Sequence, residues 1–96
     1  MSGELEFRLV ADVSSDNPGG LRPAIESLVT GTVTPTQDGF RVEGIVHGES
    51  ARDLNRALLS ALRRVQRRTR LRAAWTQDGM TERFFDYVPK GTRPAG

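Results

Sequence analysis

ARDLNRALLSALRRVQRRTRLR, residues 51–72, is the stretch whose reading decides the fold. With Leu54 as origin and about 100° per residue, Ala57, Leu58, Ala61, Leu62 and Val65 gather on one side, and Arg52, Arg56, Arg63 and Arg67 fall opposite. The spacing predicts a packed amphipathic helix with a basic outer face. Ser50, followed three residues later by Asp53, nearly matches a capping box whose acid is one methylene short, so the helix starts there. Arg68 would return toward the apolar edge, which ends the helix near Gln66 to Thr69.

On the C-terminal side, Leu71, Ala73 and Trp75 alternate with Arg70, Arg72 and Ala74, Asp78-Gly79 marks a turn, and residues 81–88 are rich in aromatics. A hairpin is expected. Residues 89–96 hold Pro, Gly and basic residues with a single apolar side chain and are expected to form a flexible tail. On the N-terminal side, Thr30 to Pro35 and Phe40 to His47 flank Thr36-Gln37-Asp38-Gly39, a second hairpin signal. Leu21, Ile25 and Leu28 recur at helical spacing, with Pro23 confined to the first turn of a short helix over 21–28. From Glu4 to Val13 the chain alternates strictly, placing Leu5, Phe7, Leu9, Ala11 and Val13 on one face of a half-buried strand.

The order is therefore strand, helix, two strands, helix, two strands. It predicts an α+β domain over residues 1–88: a ferredoxin-like, split β-α-β, mainly antiparallel sheet of order β-α-β-β-α-β-β, with two helices on one face. The expected core is Leu5, Phe7, Leu9, Val42, Val46, Leu54, Leu58, Leu62, Val65, Leu71 and Trp75. If the last strand lies at an edge, its open backbone is a natural dimerisation site.

Composition narrows the function classes. With 96 residues, 36% of them apolar, the chain is long enough for one modest core and too hydrophobic to be disordered throughout. It has no cysteine, which excludes disulfides, thiolate nucleophiles and the common zinc sites and fits a reducing compartment. No basic flank with an apolar run marks a signal peptide, and no stretch is apolar enough to span a bilayer, so a cytoplasmic protein without membrane contact is expected. The charge divides unevenly: residues 1–50 hold eight acids and three bases (−5), residues 51–96 four acids and eleven bases (+7), together the net +2. That asymmetry can be met inside the domain, by an acidic protein partner, or by a second copy in a homodimer.

Catalysis and cofactors find little support. His47, the only histidine, lies near Glu43 and Glu49 without the further groups that a base or metal site requires, so no catalytic residue, metal or cofactor is expected. Ser14 to Gly20 before a helix loosely resembles an anion-binding turn, but GxxxxGK[ST] and GxGxxG are both absent. A small-molecule or phosphoester site at the Asn17 to Arg22 turn ranks last. Phe84 and Phe85 are neighbours in a strand and face opposite ways, so one of them needs a cover outside the core. The sequence thus points to a non-enzymatic interaction protein whose partner-binding residues are Arg52, Arg56, Arg63, Arg67, Trp75, Phe85 and Tyr87. Nucleic-acid binding by the same basic helix is the alternative, although neither a GXXG loop nor an RNP-type aromatic strand is present.

Overall fold

The computed structural model describes residues 4–94. In chain order the elements are β1 (Leu5–Ser14), a 3-10 turn (Pro18–Leu21), α1 (Arg22–Leu28), β2 (Thr30–Pro35), β3 (Gly39–Gly48), α2 (Ala51–Val65), β4 (Arg70–Gln77), β5 (Met80–Phe85) and β6 (Val88–Pro94). The fold is α+β. All six strands form one antiparallel sheet in the order β2-β3-β1-β4-β5-β6.

The period-2 pattern of β1 sets the two faces of the sheet. Phe7, Leu9, Ala11 and Val13 are buried, and the register brings Val42, Leu71, Ala73 and Trp75 to the same side. Leu21 and Ile25, from the 3-10 turn and α1, and Leu58, Leu59 and Leu62 of α2 join the same buried cluster. Between the last two pairs of strands the chain reverses in two-residue turns. Asp78 (φ 53) and Gly79 (φ 78) both adopt the left-handed region, as a tight hairpin between right-twisted strands requires.

Three expectations need correction. Of the residues assigned to a flexible tail, 89–94 belong to β6, paired with β5 from Met80↔Pro94 to Phe85↔Val88, and 95–96 lie outside the described residues; Pro89 and Pro94 are tolerated because the strand is an edge with no second ladder to serve. The sheet therefore has six strands rather than five. Leu5 and Val65, assigned to the core, are 42% and 44% exposed: Leu5 is the first residue of β1, and Val65 turns outward with the rotation of α2.

The third correction concerns the rotation of α2. Its buried residues are Ala51, Asn55, Leu58, Leu59 and Leu62, so the inward line lies roughly 70° round the helix from the one that leucine and alanine alone define. Ala57 and Val65 turn outward, Leu59 turns in, and Arg63 moves from the outer face to the edge of the buried one. Asn55 is the cause: it is 1% exposed and bonded on both sides of its amide to groups of the sheet and its β5–β6 turn. The Ser50 cap is present as expected, its hydroxyl accepting from the Asp53 N–H at 3.1 Å. Among the described residues no helix is long and apolar enough to cross a membrane.

Candidate functional site

The turn between β5 and β6, Asp86-Tyr87, folds back over α2 and organises most of the polar contacts near it. Asp86 adopts φ 55, a conformation that Asp and Asn tolerate better than most residues. Its N–H donates to the Leu71 carbonyl at 2.6 Å, and its Oδ1 accepts from the Leu71 N–H at 2.8 Å. Oδ2 lies 3.6 Å from Arg63 and 3.7 Å from Arg70. The Asp86 carbonyl accepts from Asn55 Nδ2 at 2.7 Å, while Asn55 Oδ1 accepts from the Trp75 indole N–H at 3.1 Å. Every buried side-chain polar atom among the described residues has a partner.

This network ties α2 to β4 and predicts a graded response to substitution. Asp86→Asn keeps both the turn conformation and an acceptor for Leu71 and should cost about 1 kcal/mol; Asp86→Gly loses the acceptor as well and should cost about 2 kcal/mol. Urea denaturation of the two variants checks the order. Equal loss in both would mean that the carboxylate acts only as a charge.

The seven residues expected to bind a partner are dispersed. Trp75 is 1% exposed and belongs to the core, so it is not an interface anchor. Arg63 is held within the domain: besides Asp86, its Nε donates to the Thr69 carbonyl at 3.0 Å and its guanidinium stands 5.2 Å over the Tyr87 ring. Arg67 is exposed in the turn after α2 and stands apart from the others. Phe85 faces the opposite side of the sheet, beneath Arg72 at 4.9 Å and Lys90 at 5.9 Å.

Three of the seven do converge. Arg52 and Arg56, one turn apart on α2, line a cavity of about 360 Å³ together with Asn55, Ser60 and Tyr87. The Ser60 and Tyr87 hydroxyls are 3.1 Å apart, which seats the tyrosine ring on the helix. Ion pairs among the described residues engage Arg22, Arg41, Arg63 and Arg70, and His47 meets Glu6; among the same residues Arg52 and Arg56 have no carboxylate within 4.0 Å. The pocket therefore combines two uncompensated guanidinium groups with two hydroxyls, one of which can donate outward. Its donor set is complementary in charge to an anion.

The other candidates weaken. Arg22, next to the Asn17 turn, is engaged with Glu26 at 3.2 Å, and α1 is only one short helix of seven residues. His47 is exposed and 3.5 Å from Glu6, with no third metal-ligating group gathered around it among the described residues. Comparison with protein-family models, with curated proteins and with solved structures gave no match. The site is thus read from its own geometry. Sequence reasoning missed Asp86 and Ser60, yet Phe85-Asp86-Tyr87 carried a usable signal: an acid between two aromatics, beside a strand of arginines, marks a turn able to collect them.

Proposed function

We propose that this chain is a non-enzymatic interaction module that docks an acidic segment of a partner protein on α2, through Arg52, Arg56 and the Tyr87 turn. The observation that carries this reading is the pairing of two unneutralised arginines, at helical spacing, with the Ser60–Tyr87 hydroxyl pair around one cavity. Carboxylates of an acidic segment match this donor set, since each guanidinium fork donates two hydrogen bonds to one carboxylate and the Tyr87 ring offers apolar area beside the charge. Arg63, fixed by Asp86, acts here as a support for the tyrosine ring.

The fold proposed to carry this site is the split β-α-β unit. Its support is that α1 joins β1 to β2 and α2 joins β3 to β4, while β2-β3-β1-β4 are consecutive in the sheet; β5 and β6 then extend one edge. The proposal places the protein in the cytoplasm, in keeping with the absence of cysteine.

A fluorescein-labelled peptide of alternating Asp and Gly serves as the probe. The Arg52→Glu/Arg56→Glu variant is expected to bind it at least tenfold more weakly than the unaltered protein with little change in thermal midpoint, because both side chains are exposed. Tyr87→Phe is expected to weaken it a few-fold. Unchanged affinity in the double variant would overturn the assignment.

A further inference from the structure

Among the described residues no helix or loop element lies over the face of the sheet opposite the helices, and that face is not a uniform polar surface. The register aligns Val10, Ala74 and Arg83 in one row across β1, β4 and β5, and Asp12, Arg72 and Phe85 in the next. Val10, Ala74 and Phe85 are each only half-buried and form the apolar floor of a shallow trough of about 510 Å³. Arg41, Arg72, Arg83 and Lys90 rim it. Of the carboxylates near this part of the face, Asp12 and Glu43 are engaged by Arg41 at 3.6 and 3.3 Å, while Asp38, without an ion pair among the described residues, lines the neighbouring cavity with Arg72 and Phe85. Arg72, Arg83 and Lys90 have no carboxylate within ion-pair distance among the described residues.

We propose that this open sheet face binds single-stranded nucleic acid, with Phe85 and the Arg72 guanidinium as the base-stacking platform and Arg72, Arg83 and Lys90 as phosphate contacts. The site is distinct from the α2 pocket and stands independently of it. The exposed Arg72 guanidinium, 4.9 Å from the Phe85 ring centroid and backed by that ring, is a group on which a nucleobase can stack, and every base has a face that suits it. An acidic peptide would satisfy the cations but leave the ring and the apolar floor without a counterpart. Strands lie about 4.8 Å apart, so cations on β4, β5 and β6, with Arg8 beyond them on β1, stretch across some 14 Å, farther than a single phosphate reaches. That spread suits a polymer. A duplex hides its bases and presents no face for Phe85.

The test is fluorescence anisotropy with 5′-labelled dT12 and U12, titrated across salt, using the full chain. Binding should weaken steeply with added salt, as counterion release requires. Phe85→Ala should weaken it roughly tenfold or more, Phe85→Trp should preserve it, and Arg72→Glu/Arg83→Glu should abolish it. Thermal melts accompany each variant. Because Phe85 is half-buried, the arginine pair, fully on the surface, decides the matter if Phe85→Ala melts early. Arg52→Glu/Arg56→Glu should leave oligonucleotide affinity unchanged. No binding at low salt, equal affinity for a duplex of the same length, or loss of binding only on changing Arg52 and Arg56 would each overturn the proposal; the last would move the nucleic acid to the helix.

Discussion

Asn55→Ala is expected to destabilise the domain by about 3–4 kcal/mol, an unusually large loss for a polar side chain on a helix. The amide is 1% exposed and satisfies two groups, the buried Trp75 indole N–H and the part-buried Asp86 carbonyl. Truncation leaves both without it, at about 1–3 kcal/mol each, and opens a small void beside the indole. Trp75→Phe removes the donor rather than orphaning it, so combining it with Asn55→Ala should cost clearly less than the sum of the two single changes. Chemical denaturation of the four proteins measures this coupling. Strict additivity would mean that the 3.1 Å contact contributes nothing.

The second large effect is expected at Leu59. It is fully buried, and Leu59→Ala should cost about 3 kcal/mol, whereas Val65→Ala, six positions on and 44% exposed, should cost no more than about 0.5 kcal/mol. Simple helical-wheel reading of the leucine and alanine stripe gives Val65 the inward place and leaves Leu59 out of the core. The pair of thermal midpoints therefore tests the rotation of α2 directly. A comparable loss in both variants would restore the unrotated helix.

How legible the fold was follows from these two residues. Periodicity located β1, the first hairpin and α2 nearly to the residue, since each rests on a local pattern that its own sequence carries; in the second hairpin the strand expected to run to Val88 stops at Phe85, and Asp86-Tyr87 is a turn. The orientation of α2 was not legible, because it depends on Asn55 finding a donor and an acceptor 20 and 31 residues away, and an asparagine counts as outward in any apolar tally. β6 was hidden for a similar reason. Pro89, Lys90, Gly91 and Pro94 argue against a strand locally, and only the ladder with β5 makes one there. For the site, the basic character of α2 was plain, but which arginines are consumed within the domain depended on Asp86, whose place over the helix is a tertiary fact. Phe84 and Phe85 were correctly divided between two faces by alternation alone: Phe84 is 5% exposed in the core, and Phe85 lies on the open side.

The central position of β1 has a consequence for biosynthesis. Ser14 meets Gly39 on one side and Arg70 on the other, so β1 has to wait for two neighbours that are both translated after it. Until β4 has left the ribosome, Phe7, Leu9, Ala11 and Val13 form a greasy ribbon lacking half its hydrogen bonds, the kind of segment that holding chaperones recognise. Maturation of this polypeptide should accordingly be late and all-or-none, and nascent chains stopped before Gln77 should remain protease-sensitive throughout.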